Sequence, residues 1–180
     1  MKLPTLEECE KFMAEFDVPQ NVREHSEVVR KVANFLAQKM VRNKIRVDLE
    51  CVDRAALLHD LAKMYCIKNN CRHALQAEKI LDKKGFGGLG KIVRMHGLDE
   101  VLKFGAKTPI EAKIVWYADK RVNHGKVVSL ATRYNYLKGH YGSMSGAKME
   151  EIISTEKKGF ALEQELLSFA RVGSGLEGLE

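Results

Sequence analysis

The stretch from Ala55 to Met64, which reads AALLHDLAKM, constrains the fold more than any other part of the chain. Asp48 can cap a helix just upstream, and no Gly or Pro interrupts the stretch. The pattern therefore predicts one continuous helix. Its sides are nearly all apolar, which is typical of a helix buried in the core. The same helix nevertheless carries His59, Asp60 and Lys63.

The carboxylate of Asp60 requires a partner inside such a helix, because an unpaired buried carboxylate costs several kcal/mol or takes up a proton. One candidate is Lys63, which lies one turn further on and could form a purely structural ion pair. The other is a metal ion. His59 and Asp60 diverge by about 100° around a helix, and a cation between them can take an imidazole nitrogen and a carboxylate oxygen. The decapeptide leaves both alternatives open.

Length and composition indicate an ordinary globular protein. The 180 residues suffice for one domain with a sizeable core, and 45% of them are hydrophobic. The N-terminus is acidic where a signal peptide requires an apolar run, and no stretch is long and apolar enough to span a membrane, so we expect a cytoplasmic protein. Cys9, Cys51, Cys66 and Cys71 have no CxxC spacing. We expect them to be reduced thiols in or near the core.

The charge balance indicates an anionic partner. The net charge is +6 and the pI is near 9.1. The Lys and Arg residues are spread among acidic ones, without a basic run interleaved with aromatics, which disfavours a nucleic-acid groove. A small phosphate-containing substrate, steered by the positive charge, fits the balance equally well. The sequence leaves the oligomeric state open.

The remainder of the chain has the periodicity of further helices. Thr5 and Glu8 match a capping box, and Thr108, Pro109 and Glu111 match a helix start with N-cap, N1 proline and N3 glutamate. The GFGGLG cluster follows no strand and lacks GK[ST], so it predicts a helix break and not a phosphate loop. No strand alternation appears, and the predicted fold class is all-α. Further helices are predicted over about 5–16, 21–42, 72–84, 91–95 and 150–170, with one more beginning at Thr108.

Six residues with metal-binding side chains lie on, or at the edge of, different predicted helices. Taken singly each has an ordinary explanation, since a lone His on an apolar helix face is more often a satisfied core residue than a ligand. Together they supply four His and two Asp without cysteine, which suits Fe, Mn, Zn, Co or Mg, and they exceed what one tetrahedral ion needs. The number points to two metals bridged by a carboxylate. The six are His25, His59, Asp60, His73, His96 and Asp119.

The order of these residues resembles that of a known family. His25, the HDLAK segment that begins at His59, and Asp119 within YADKR are similar to the HD superfamily of metal-dependent phosphohydrolases, over about residues 20–125. His73 and His96 match the two extra histidines of binuclear members, such as symmetrical diadenosine-tetraphosphate hydrolases and cyclic-dinucleotide phosphodiesterases. The usual HDIG is HDLAK here, and the GYP signature of one cyclic-dinucleotide subgroup is absent, which counts against that substrate.

The resemblance implies an all-α HD-domain helical bundle that binds two divalent metal ions, with Fe or Mn favoured and Zn, Co, Mg or Ni as alternatives. The first ion would be held by His25, His59, Asp60 and Asp119, and the second by Asp60 as a bridge with His73 and His96. We expect one domain over 1–180, with a metal-binding core at about 20–125, a C-terminal helical extension at about 126–172 and a frayed tail at 173–180.

The expected activity is hydrolysis of a phosphate ester or phosphoanhydride of a nucleotide or small phosphorylated metabolite. Asp60, Lys63 and Arg121 are the expected catalytic residues, the two cations by binding phosphoryl oxygens. Lys120 has the same chemistry but fits a solvated surface charge better. Two alternatives stay open: an HD-fold di-iron oxygenase, and a non-catalytic metal- or nucleotide-binding module.

Overall fold

The fold is built from helices. The structure, a computed structural model, describes residues 1–179. Over that range it contains nine α-helices, two short 3₁₀ segments and one small hairpin, so the predicted all-α class is confirmed. The helices are α1 (Leu6–Glu15), α2 (Gln20–Arg42), α3 (Leu49–Leu58), α4 (Lys63–Asn69), α5 (His73–Lys83), α6 (Gly87–Arg94), α7 (Ile110–Lys120), α8 (Leu130–His140) and α9 (Gly146–Ala170). The 3₁₀ segments are Leu98–Lys103 and Gly142–Met144, and the antiparallel strands are β1 (Val122–Asn123) and β2 (Lys126–Val127).

Side-chain caps explain two helix starts that the sequence predicted. Thr5 Oγ1 accepts a hydrogen bond from the Glu8 amide, while the Glu8 carboxylate accepts one from the Thr5 amide, which completes the capping box of α1. Asp48 caps α3 by accepting from the amide of Cys51. Both caps satisfy backbone N–H groups that have no partner within the helix.

The predicted cap of α7 is wrong. The helix begins at Ile110 without a side-chain cap, and Thr108 Oγ1 accepts from the amide of Gly105 instead. The Glu111 carboxylate accepts from the amide of Asp48, at 2.9 Å. The acidic residue therefore joins the start of α7 to the start of α3, and this tertiary contact replaces the local capping box.

The helix predicted around the His-Asp pair is not continuous. α3 ends at Leu58, with His59 still in helical backbone conformation, and α4 begins at Lys63. Between them the Leu61 amide donates to the Leu58 carbonyl and the Lys63 amide to the Asp60 carbonyl, as in a tight 3₁₀ turn. Local propensity favours helix throughout this segment, so propensity does not explain the interruption.

Helix α7 lies at the centre of the core. Every residue from Ala112 to Lys120 is buried, and the helix packs against α2, α3 and α9. Trp116 is fully buried and donates from Nε1 to the carbonyl of Gly97, at 3.0 Å. This central position carries Asp119, in the last turn, into the interior. Despite its apolar centre, the described part of the chain contains no helix with the length and hydrophobicity needed to cross a membrane.

The glycine cluster breaks the helical pattern, as predicted. The break lies at Gly85, at φ +84°, but α6 begins at Gly87 instead of about residue 91 and so includes the later glycines. Gly90 faces α5, where an added Cβ would lie 2.9 Å from the carbonyl oxygen of Glu78. The missing side chain therefore permits α5 and α6 to approach closely. The paired helices bring His73 and His96 together.

Two of the four cysteines are bonded to each other. Cys66 and Cys71 form a disulfide, with their Cα atoms 4.6 Å apart. The expectation of four reduced thiols is wrong for this pair. Cys9 and Cys51 are free and buried, as expected. The disulfide closes the connection between α4 and α5, directly before His73.

The C-terminal residues pack onto the core. Buried apolar residues form one cluster that runs from Cys9 to Leu176. Leu176 is only 2% exposed, and the carbonyl of Ser174 accepts from Arg121 at 2.8 Å. Ser174 and Leu176 thus contact the folded domain, although we expected a frayed tail over 173–180; Glu180 lies outside the described residues.

Candidate metal centre

Three side chains from separate helices converge on Asp60. His25 comes from α2, His59 from the end of α3 and Asp119 from the last turn of α7. His25 Nε2 lies 3.1 Å from Asp119 Oδ1 and 3.9 Å from Asp60 Oδ2. His59 Nε2 lies 3.5 Å from Asp60 Oδ2 and 3.6 Å from Asp119 Oδ1. The two carboxylates therefore face the same pair of imidazoles.

Two further histidines approach the other oxygen of Asp60. His73 is the first residue of α5, and His96 follows the end of α6. Their Nε2 atoms lie 3.4 Å and 3.9 Å from Asp60 Oδ1 and 2.9 Å from each other. The Asp60 carboxylate thus lies between two histidine pairs, with one oxygen directed toward each.

The donor atoms have the spacing of metal ligands. Those of His25, His59 and Asp60 lie within 4.8 Å of one another, and so do those of Asp60, His73 and His96. Two atoms that are each about 2.1 Å from one ion stand about 3.0 to 3.4 Å apart. The observed separations of 2.9 to 3.9 Å are close to that range. The structure brings together all six residues that the sequence singled out.

Backbone hydrogen bonds direct two of the imidazoles. His59 donates from Nδ1 to the Ala56 carbonyl at 2.7 Å, and His96 donates from Nδ1 to the Val93 carbonyl at 2.6 Å. Each bond leaves Nε2 facing the cluster, which is how metal-ligating histidines are commonly oriented. His59 Nε2 is buried without a hydrogen-bond partner within residues 1–179. A metal ion would satisfy this nitrogen.

The two carboxyl groups are ionised despite their burial. Burial by itself raises the pKa of both groups. At Asp60 the charges of His59 and Lys63 outweigh burial, and at Asp119 the charge of Lys120 is the largest opposing influence. Both pKa values are held well below the ordinary range. The cluster therefore presents negatively charged oxygens to a cation.

The histidines divide into two kinds. Burial lowers the pKa of His59, but Asp60 and Asp119 outweigh it and raise the pKa to about 10. At His73 and His96 burial prevails and lowers the pKa of each. Without metal, the cluster thus holds a proton on His59 beside two neutral imidazoles. A divalent cation would take the place of that proton, because metal binding releases protons from its ligands.

Comparison with protein families agrees with this geometry. The family model for the HD domain matches residues 22–123, more than half of the chain. The chain belongs to the HD domain family. Members of this family are generally metal-dependent phosphohydrolases, and the HD match contains all six residues of the cluster. Searches of curated proteins and of solved structures find no match.

A cavity of about 440 Å³ opens beside the cluster of the HD domain. Its wall includes Asp60, His73, His96 and Asp119. Lys63 also lines it, with Nζ 2.7 Å from Asp60 Oδ2 and more than a third of its side chain exposed. Lys63 therefore lies beside Asp60 and faces the cavity.

Lys120 belongs to the HD-domain site, contrary to its assignment as a surface charge. It is 6% exposed and lines the cavity. Its Nζ donates to the carbonyl of His96 at 3.1 Å and to the carboxylate of Asp119. The lysine thus holds two parts of the cluster in position, one from α7 and one from the end of α6.

Arg121, which was expected to bind phosphate, lies outside the cavity lining. Its guanidinium donates to the carbonyls of Val128 and Ser174, at 2.6 and 2.8 Å, and to the hydroxyl of Tyr117. Arg121 diverges from Lys120 by about 100° around the helix axis. Of these two residues, only Lys120 lines the cavity.

Part of the cavity wall comes from residues that the sequence did not single out. They lie beyond the HD match, in α8, α9 and the segment between them. The only sequence signal was the tyrosine-rich segment 133–142, whose distance from the cluster cannot be read from spacing. The lining residues from this region are Arg133, Leu137, Tyr141, Lys148, Glu151 and Ile152.

Proposed function

We propose that this HD domain hydrolyses a phosphate ester or phosphoanhydride of a nucleotide or small phosphorylated metabolite at a binuclear metal site. The supporting observation is the position of the Asp60 carboxylate, whose oxygens are directed toward separate histidine pairs. A donor set of nitrogen and oxygen without thiolate suits Fe or Mn, with Zn, Co, Mg or Ni as alternatives. One ion would be held by His25, His59, Asp60 and Asp119, and the other by Asp60, His73 and His96.

The residues of the chain have distinct parts in this proposal. Bound divalent metals supply a water of lowered pKa and Lewis-acid stabilisation of a phosphoryl group. Asp60 bridges the two ligand sets. Lys63 binds a phosphoryl oxygen and stabilises the negative charge that develops there. Lys120 is a positioning residue, because it binds the Asp119 carboxylate and the backbone beside His96.

Metal content tests the binuclear site. We expect protein purified without chelator to contain about two ions per chain, and His73→Ala to contain about one because the other ligand set is intact. His124→Asn is the matched control, since His124 is an exposed histidine outside the cavity lining and Asn tolerates its positive φ. One ion or none in the wild type, after metal is added back, would overturn the binuclear proposal.

Turnover tests the reaction class. We expect metal-loaded protein to release p-nitrophenol from p-nitrophenyl phosphate or its diester. Asp60→Ala should abolish this activity, and Lys63→Ala should lower kcat by about a hundredfold, the scale of a lost charge-stabilising contact. Oxygen consumption is measured in parallel. Oxygen-dependent turnover would support the di-iron oxygenase instead, and tight metal binding without either activity would support a binding module.

A further inference from the structure

The cavity is larger than a phosphate group requires. Its volume of about 440 Å³ lies in the range of pockets that hold complete organic ligands, roughly 300 to 1,000 Å³. The metal cluster occupies one part of the wall, and α8 and α9 contribute another. These helices lie outside the HD match, so the organic part of a substrate would contact residues that the match does not include.

Tyr141 is the aromatic residue of that wall. It follows the end of α8 and is 39% exposed although it lines a cavity. It lines the cavity together with Lys63 and Asp60. An accessible aromatic ring thus lies close to where phosphate would bind.

Neighbouring rings hold Tyr141 in place. The centroid of the His140 ring lies 4.7 Å from that of Tyr141, with 88° between the ring planes. For Tyr136 the centroid distance is 6.3 Å and the interplanar angle is 83°. Tyr136 and His140 stack on each other at 5.2 Å. Contacts of this kind restrain the ring before a ligand arrives, which lowers the entropy cost of stacking on it.

Arg133 adds a cation to the same wall. It donates from one terminal nitrogen to the side-chain oxygen of Asn123, at 2.8 Å, and its guanidinium lies over the ring of Tyr136. Within residues 1–179, its Nε is buried without a hydrogen-bond partner. A half-buried guanidinium held by neutral groups is suited to bind an anionic ligand.

We propose that Tyr141 is a specificity-determining residue that stacks on a planar heterocycle of the substrate, while Arg133 binds its anionic part. The substrate class is therefore a nucleotide, in preference to a sugar phosphate of similar charge. This inference rests on the proposed function in placing the phosphate at the metal cluster. The stacking itself is measurable by binding alone.

The test compares adenosine 5′-monophosphate with ribose 5-phosphate, which differ by the base. Calorimetric titration of metal-loaded protein gives the ratio of the two dissociation constants. If the protein hydrolyses the probes, the ratio of their kcat/KM values is compared instead. Stacking on an aromatic side chain contributes about five- to a hundredfold per base. We expect the wild type to prefer the adenosine probe by a factor in that range.

The variants separate the ring from the hydroxyl. Tyr141→Phe should keep the preference, and Tyr141→Leu should lose most of it while its affinity for ribose 5-phosphate stays within about twofold. The matched control is Tyr65→Leu, because Tyr65 is 45% exposed but lies outside the cavity lining. Arg133→Gln should weaken both probes alike. These results would support the proposal if melting temperatures are unchanged.

Two results would overturn it. One is a wild type without preference for the adenosine probe, and the other is a folded Tyr141→Leu variant that retains the preference. Neither depends on turnover. If no phosphate ester is hydrolysed but the preference follows Tyr141, the proposed reaction fails and the base-binding role stands.

Discussion

At the scale of single residues, the pKa values of buried groups are shifted in opposite directions in two parts of the molecule. In the core, burial has no strong opponent and raises the pKa of Cys9 to about 11 and that of Cys51 to about 12. At Asp60, burial acts in the same direction, but neighbouring positive charges outweigh it. The difference lies in whether charged partners accompany the group into the interior.

Thiol titration tests the state of the four cysteines. Because the raised pKa values keep Cys9 and Cys51 protonated at pH 8, and thiolate is the reactive form, native protein should react with no equivalent of Ellman's reagent. Denaturation without reductant should expose two thiols, since the structure has two free cysteines. Reduction before denaturation should expose the Cys66–Cys71 pair as well.

Two outcomes would contradict this prediction. Four thiols in denatured, unreduced protein would mean that Cys66 and Cys71 are not bonded. Rapid reaction of the native protein at pH 8, with Cys66 and Cys71 still bonded, would mean that Cys9 or Cys51 is more accessible than the structure shows.

At the scale of elements, the close contact of α5 and α6 decides whether two histidines reach Asp60. His73 and His96 belong to the ends of these two helices. Their Nε2 atoms are 2.9 Å apart, and the two helices approach closely at Gly90. We expect a wider separation of the helices to move the two histidines apart.

The substitution Gly90→Ala tests the close contact between α5 and α6. The added Cβ would meet backbone atoms of Glu78, with the carbonyl oxygen at 2.9 Å, and backbone cannot move aside as a flexible side chain can. We expect a loss of about 1 to 3 kcal/mol in the free energy of unfolding, measured by urea denaturation. Because the added Cβ would push α5 and α6 apart, the metal content should also fall toward one ion per chain, as for His73→Ala.

Gly139→Ala is the matched control. Gly139 is also helical, but nothing lies within 4 Å of its added Cβ. The gain in helix propensity should stabilise this variant by about 0.5 to 1 kcal/mol. Equal effects of the two substitutions would mean that the close approach at Gly90 is unimportant.

At the scale of the whole molecule, Arg121 joins parts that are distant in sequence. Arg121 directly follows α7, and its side chain donates to two carbonyls. One belongs to Val128, after the hairpin, and the other to Ser174, in the C-terminal tail. Tyr117 accepts from Arg121 and donates to the carboxylate of Glu163 in α9, at 2.8 Å. The network attaches the C-terminal extension to the helix that carries Asp119.

The substitution Arg121→Met tests the network around Arg121. The substitution leaves the Glu163 carboxylate without its buried cation, and breaking a buried pair costs about 3 to 5 kcal/mol. We expect a loss of stability of that size by chemical denaturation. Arg46→Met, at an exposed arginine, should stay within about 0.5 kcal/mol. Lost turnover at unchanged stability would instead restore the catalytic role that the sequence suggested for Arg121.

The sequence by itself determined the chemistry of the cluster and the class of the fold. All six His and Asp residues were identifiable, because ionisable groups at the edges of apolar helices are costly unless they have partners. The helical periodicity predicted an all-α protein, and the pairs Thr5–Glu8 and Asp48–Cys51 follow local capping rules. These features depend on spacing along one segment at a time.

Only the tertiary structure decided how that chemistry is arranged. The choice of Lys120 over Arg121 for the cavity, and the shared position of Tyr141 and Lys63 in its wall, each depend on contacts between distant segments. The Cys66–Cys71 bond and the packed C-terminal tail are of the same kind. Local propensities differ by about 1 kcal/mol or less per residue, and the burial of charges and apolar side chains outweighs them.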